Sequence, residues 1–205
     1  MKHPYIHVDH SGGRPMPVLN IAMVGSDDLA RGIAKPTDQR DVHTYVHKES
    51  DADGPRILSI IRPAKYPERL RPFLNALSAA RVGIIEIERI DATLGEALVA
   101  FASSNLTKGM AIINAPDGEW VDEDQAKMLF KQAGLGEWTF AKGDGIELRT
   151  ILYGFMDSIA DELKANAEAP LVIPVDQHFN VKGIGLVAIG YVQSGTVNVH
   201  DELVL

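Results

Sequence analysis

The feature that most constrains this chain is the alternation of short apolar runs with stretches of helical period. VLNIAMV (18–24), RILSII (56–61), VGIIEIE (82–88), GMAIIN (109–114) and WTFA (138–141) are the apolar runs. Several are nearly continuous in Val, Ile, Leu and Met, as strands covered on both faces are. Between them lie amphipathic segments. One begins near Pro67 and places Leu70, Phe73, Leu74 and Leu77 on one face; Pro72 conflicts with a helix interior, so this helix starts late or kinks. TLGEALVAFASSNL opens on a Thr93-x-x-Glu96 capping box and stacks Leu94, Ala97, Leu98, Phe101 and Ala102. The next helix starts near Asp122, carries Ala126, Leu129, Phe130 and Ala133, and stops at Gly134. The last and longest has the stripe Leu148, Ile151, Leu152, Phe155, Ile159 and Leu163. Strands separated by helices imply right-handed βαβ crossovers and a doubly wound α/β sheet. DVHTYVHK (41–48) is separated from RILSII by ESDADGP alone. That is too short for a crossover helix, so the segment reads as one antiparallel edge strand joined by a hairpin.

From Pro170 the pattern changes. The remaining sequence has no helical stripe, is rich in Val and Ile, and is broken by Gly183, Gly185, Gly190 and Gly195, which predicts strands linked by turns. Three strands fit this length, too few to close a barrel. The expected organisation is therefore a flexible leader over residues 1–17, an α/β domain over 18–166, and an incomplete β-rich piece over 170–205, with KANAEAP (164–170) at the boundary. In the leader, His3, His7 and His10 have a spacing that suggests a metal, but Gly12, Gly13, Pro15 and Pro17 leave nothing to orient the imidazoles.

Composition removes whole classes of function. The 205 residues contain no cysteine, which excludes disulfides, thiolate zinc sites and thiol nucleophiles. A net charge of −8 argues against a surface that coats nucleic acid; DNA is not an expected partner, and any RNA contact has to be local. No segment approaches the roughly 18 apolar residues of a membrane span, and a cytoplasmic protein with no membrane partner is expected.

NIAMVGSDDLARGIAK (20–35) has the form of a strand turning into a helix, the geometry that aims backbone N–H groups at an anion. A phosphate loop needs G-x-x-x-x-G-K-[ST]. Counting from Gly25, the second Gly is Ala30, the Lys is Arg31 and the Ser or Thr is Gly32, so the hydroxyl that holds Mg²⁺ is missing. Asp27 and Asp28 have two readings. Either they pair with Arg31 or Arg62 and fill the anion site with the protein's own carboxylates, or they cap the helix.

The tail carries a resemblance. Ile173-Pro174-Val175-Asp176, Phe179, Lys182-Gly183-x-Gly185, Gly195-Thr196-Val197 and Asp201-Glu202 stand at the spacing of the second, β-barrel domain of translational GTPases. The chain resembles the elongation factor Tu and SelB branch of that family. It is most similar to the SelB-like factor of methanogenic archaea linked by name to pyrrolysine decoding, which also has an Arg in the loop and a Tyr-Pro like Tyr66-Pro67. The resemblance implies a P-loop GTPase-like doubly wound mixed sheet with one antiparallel strand, followed by the start of an elongation-factor-type β-barrel.

The family's motifs are altered one by one. Where the family has D-x-x-G after its third strand, this chain has Arg62 at the Asp, Lys65 at the Gly, and Tyr66 at the following His. Thr37 and Thr44 are both candidates for the first-switch Thr, and His43 aligns best; the choice stays open. The guanine-reading N-K-x-D becomes Asn114-Ala115-Pro116-Asp117, and the later S-A-K/L loop becomes Phe140-Ala141-Lys142, then Gly143-Asp144-Gly145.

The nucleotide residues implied are therefore Gly25, Arg31, Asn114, Asp117, Ala141 and Lys142, with no catalytic residue and no metal ligand. Asn114 and Asp117 are equally good turn chemistry. The run Arg62, Lys65, Arg69 and Arg71 is either an RNA contact or a solvated face balanced by Glu68. His178 and His200 read as structural. The function expected is a pseudo-GTPase binding module of translation, with tRNA or a ribosome-associated partner and, at most, GTP or GDP held without Mg²⁺. The alternative is an atypical GTPase in which Arg31 and Arg62 replace Lys and Mg²⁺. A scaffold that kept the fold for protein contacts is the third reading.

Overall fold

The computed structural model describes residues 17–51, 54–165, 168–173, 175–190, 192–198 and 201–204. His3, His7, His10, Pro174 and His200 lie outside the described residues, as do the side chains of Leu163 and Asp176. The chain divides into two compact units, residues 1–155 and 156–205.

The first unit is built on β1 (Val18–Val24), β2 (Lys35–Gln39), β3 (Val42–Asp51), β4 (Gly54–Pro63), β5 (Val82–Ile87), β6 (Gly109–Ile113) and β7 (Thr139–Ala141). The helices between and after them are α1 (Asp27–Ile33), α2 (Leu70–Ala79), α3 (Ala92–Ser103), α4 (Glu123–Gln132) and α5 (Gly145–Ala165), the last of which continues past Phe155 into the second unit. The strands form one seven-stranded sheet in the order β2-β3-β4-β1-β5-β6-β7. From β4 to β7 every pair is parallel, whereas β3 is antiparallel to both β4 and β2. This is the doubly wound mixed sheet expected, with one strand running against the rest.

Two local expectations are corrected, and a third is made definite. The antiparallel strand is not the edge: β2 lies outside it. KPTDQ carries no strand signal in the sequence, because its residues are mostly exposed and show no apolar alternation. The helix after β4 starts late, as Pro72 led one to expect: it begins at Leu70 rather than near Pro67, which leaves Pro72 in the first turn, where its missing N–H costs nothing. Helix α3 begins one residue before Thr93, and its cap is Asp91, whose carboxylate accepts from the Leu94 N–H at 3.0 Å. The capping box occurs instead at α5. There Asp144 Oδ1 accepts from the Ile146 and Glu147 N–H groups at 2.8 and 3.1 Å, and Glu147 Oε2 accepts from the Asp144 N–H at 2.9 Å.

Helices α2, α3 and α4 bury Phe73, Ala76, Leu77, Leu94, Leu98, Phe101, Ala126 and Phe130 in one core cluster with Trp138. The rings of Tyr66, Phe73, Phe101, Trp138, Phe130 and Phe140 follow one another at centroid separations of 4.5, 5.6, 5.2, 5.7 and 5.1 Å. Trp138 is 4% exposed and donates its indole N–H to Leu106 O at 3.1 Å. Its seat is a pair of glycines opposite one another on adjacent strands, Gly83 and Gly109. A Cβ on Gly83 would run into Trp138 and lie 2.7 Å from Phe101 Cε1; one on Gly109 would lie 2.5 Å from Trp138 Cε2. Elsewhere Arg149 donates to the Ile33 and Gly32 carbonyls at 3.0 and 3.2 Å, tying α5 to the end of α1.

In the second unit, β8 (Val175–Val181) and β9 (Gly185–Gly190) form an antiparallel hairpin. Lys182-Gly183-Ile184 makes the turn, with Gly183 and Gly185 at φ +85° and +103°, a region that favours glycine. A third strand is not formed among the described residues; a single antiparallel bridge joins Val172 to Ser194.

The packing at Trp138 generates a paired prediction. Gly83→Ala destabilises the fold by about 1–3 kcal/mol through overpacking. Gly32→Ala, in a helix with nothing within 4 Å of the new methyl, is neutral or stabilising by roughly 0.5–1 kcal/mol. Urea denaturation of the two variants beside the parent checks both signs.

Candidate functional site

The parallel strands β4, β1, β5, β6 and β7 present their C-terminal ends side by side, the edge at which doubly wound sheets bind ligands. In that order they bring up Arg62, Gly25, Glu86, Asn114 and Ala141.

The strand-to-helix connection is far shorter than a phosphate loop. Only Gly25 and Ser26 separate β1 from α1, and the residues from Asp27 onward, which a phosphate loop would hold open around an anion, are already helical. Ser26 is the N-cap, its Oγ accepting from the Leu29 N–H at 3.1 Å. Glu86, at 7% exposure one of two buried polar residues among those described, commits both carboxylate oxygens here. Oε2 accepts the Ser26 N–H at 2.5 Å, and Oε1 accepts from Asn114 Nδ2 at 2.7 Å. Gly25 makes this approach possible, since a Cβ there would lie 2.8 Å from Glu86 Cβ and 2.9 Å from Oε2. On the other side Arg62 Nε donates to the Gly25 carbonyl at 2.6 Å, with His43 Nδ1 3.5 Å from its Nη1.

Glu86, rather than Asp27 or Asp28, is the carboxylate that meets a backbone N–H at this turn. Asp27 does pair with Arg31, but along the helix surface, one turn apart, and it also accepts from the hydroxyl of the fully buried Tyr45. The Arg31 guanidinium, then the Tyr45 hydroxyl, hold the Asp27 carboxyl below its ordinary range. Neither aspartate is the cap. The signal for Glu86 was present in the sequence as an acid inside the run VGIIEIE, every residue of which in β5 is buried.

The other candidate positions are engaged in local contacts. Thr37 and Thr44 stand on β2 and β3, not in an open loop. Their hydroxyls lie 2.9 Å apart, and Thr37 Oγ1 donates to Thr44 O at 3.1 Å. Tyr66 packs on Phe73 and donates to Thr93 O at 3.2 Å; burial first, then the Glu96 and Asp91 carboxylates, push its phenol up to about 12. Asp117 is exposed in a turn in which the Glu119 N–H reaches Pro116 O at 2.9 Å and Gly118 takes φ +82°. Ala141 is buried, and Lys142 Nζ is 2.6 Å from Glu123 Oε2. Glu123 also meets Lys127 at 2.8 Å, and the two lysines bring its carboxyl down to about 2. The structure thus joins Gly25 to Asn114 through Glu86, and leaves Arg31 and Lys142 in separate surface ion pairs and Asp117 in an exposed turn. In the basic run, Arg62 is spent on Gly25 and Arg69 reaches Asp41 at 3.3 Å. Among the described residues no group of His, Asp and Glu is gathered to hold a metal, and no helix is long and apolar enough to cross a membrane.

The seven-stranded, mostly parallel sheet with its five helices resembles in fold the GTPase domains of SelB-type elongation factors. In structure the chain is similar to a bacterial selenocysteine-specific elongation factor, with a TM-score of 0.57 and 21% identity over 88% of this chain and 35% of that one. It is also similar to the translation elongation factor SelB from Methanococcus maripaludis in complex with the GTP analogue GppNHp, with a TM-score of 0.55 and 17% identity over 91% of this chain and 44% of that one. In sequence it is 25% identical over 186 residues to an uncharacterized protein of Methanocaldococcus jannaschii, covering 90% of this chain and 56% of the relative. No protein-family model matches. The chain spans little more than half of the curated relative and less than half of the solved factors.

Glu86→Gln keeps the shape but puts an amide against two donors, so one contact is lost along with the charge. The expected cost is about 1–3 kcal/mol, read as a lower urea midpoint at unchanged slope, and Asn114→Ala costs less.

Proposed function

We propose that this chain is a pseudo-GTPase module of translation, with the fold of an elongation factor's nucleotide domain and without its hydrolysis cycle. The observation that carries the reading is the Glu86 carboxylate on the Ser26 N–H, which puts the protein's own anion where the loop's first backbone donor would meet a phosphate. Two further features support it. Helix α1 begins at Asp27 and leaves no open loop, and Gly32 and Arg62 stand where the resembling family has its Mg²⁺ ligands. Hydrolysis by such a fold rests on metal and on positioned charge; Arg62 and Arg31 supply cations, but both are turned to protein oxygens.

In this reading the C-terminal edge of the sheet is a rigid structural element and the module works by contact. The resemblance to the SelB-like branch, down to Tyr66-Pro67, makes tRNA or a ribosome-associated protein the expected partner in the cytoplasm. The competing reading, an atypical GTPase, requires Arg31 and Arg62 to leave Asp27 and Gly25 and face a nucleotide.

Titration calorimetry of GDP and GTP into the purified protein separates the two, run once with Mg²⁺ and once with EDTA. The pseudo-GTPase reading predicts no saturable heat in either buffer up to millimolar nucleotide. Micromolar binding that ignores EDTA would give the site to a metal-free nucleotide held by the arginines, and binding that requires Mg²⁺ would overturn the proposal.

A further inference from the structure

The edge of the sheet opposite β2 carries a groove that the proposed function does not use. Among the described residues, strand β7 ends the sheet and pairs only with β6. Beside it lies a half-open cavity of about 380 Å³, lined by Phe130, Trp138 and Phe140 and flanked by Glu123, Lys127 and Lys131. Phe140, half-buried, is the ring at its surface; Phe130 and Trp138, 1% and 4% exposed, back it from the core, with Phe130 5.1 Å from Phe140 and 5.7 Å from Trp138, centroid to centroid. Above it, Lys127 Nζ lies 5.6 Å from the Phe140 centroid, within cation–π range. The volume matches a large apolar side chain with room around it, at the lower end of the range for ligand pockets.

Charge narrows the occupant. The lone carboxylate lining the groove, Glu123, is already shared between Lys127 and Lys142, while Lys131 adds a second cation to the lining. In a chain of net charge −8 the lining of this groove carries a positive excess. An unpaired strand edge offers backbone donors and acceptors to an extended chain, and an adjacent pocket reads the side chains that chain presents.

We propose that an extended acidic segment of a partner protein adds to the free edge of β7, setting one aromatic or aliphatic side chain into the groove and its carboxylates against Lys127 and Lys131. The site stands apart from the Glu86 contacts and does not depend on how the nucleotide question is answered.

The test uses the full chain and defined peptides: acetyl-Asp-Glu-Val-Phe-Val-Glu-Asp-amide, its Leu and Tyr variants at the centre, and a charge-reversed control with Lys and Arg at the acidic positions. ¹⁵N–¹H spectra are followed during titration. The proposal predicts saturable shifts of the Thr139, Phe140 and Ala141 amides and the Trp138 indole with the acidic peptides. It also predicts at least tenfold weaker binding to the Lys131→Glu variant, whose exposed position leaves the fold intact, and none with the control. Three results would overturn it: no shift at 2 mM of any acidic peptide, equal binding of the basic control, or affinity unchanged in Lys131→Glu. Phenylacetate shifting the indole as strongly while the β7 amides stay still would assign the groove to a small aromatic acid. Concentration-dependent dimerisation that moves the β7 amides without peptide would assign the edge to a second copy of this chain.

Discussion

Glu86 leaves a strand that is buried along its whole length, and its carboxylate cannot be solvated there without help from the protein. A buried charge is tolerated only when its lone pairs are filled. The Ser26 N–H and the Asn114 amide do this, one from the start of α1 and one from the end of β6, and much of the local geometry follows from that arrangement. Gly25 must lack a side chain for the carboxylate to come close. Helix α1 can begin as soon as Ser26 is capped. Arg62 then closes the other side by donating to the Gly25 carbonyl, so that β4, β1, β5 and β6 are tied together across their C-terminal ends by polar contacts.

That same edge is where folds of this kind ordinarily gather phosphate and base. Here its polar groups are turned towards one another. The aspartate beside the loop is shared between Arg31 and Tyr45, the two threonines of the β2–β3 pair face each other, and the Tyr66 hydroxyl reaches the Thr93 carbonyl. Each contact is small, and the exposed ion pairs contribute little on their own. Their combined effect is to engage these particular side chains with one another and with the backbone.

Much of this was legible in the sequence. The central parallel strands and the stripes of the later helices follow from apolar runs and from 3.6-residue spacing, because burial on both faces of a sheet demands them. Strand β2 was not legible: KPTDQ is mostly exposed and held by backbone pairing and the Thr37–Thr44 contact, so no hydrophobic pattern marks it. The capping residue of α3 was misread because Asp91 and Thr93 are both competent caps, and only backbone geometry chooses between them. At the site, the positions of Gly25 and Asn114 were visible, but the residue that joins them was not. Glu86 is distant in sequence from both, and an acid in an apolar run signals a buried partner without saying which.

The most direct test is the Ser26 amide itself. In ¹⁵N–¹H spectra a backbone N–H held by a carboxylate gives a downfield proton resonance, and that of Ser26 is expected to move upfield in Glu86→Gln. Addition of 1 mM GDP or Mg²⁺–GTP should leave the Ser26 resonance and the Asn114 side-chain pair where they are. A nucleotide-dependent displacement of both would show that Glu86 yields its place to phosphate, and would contradict the account.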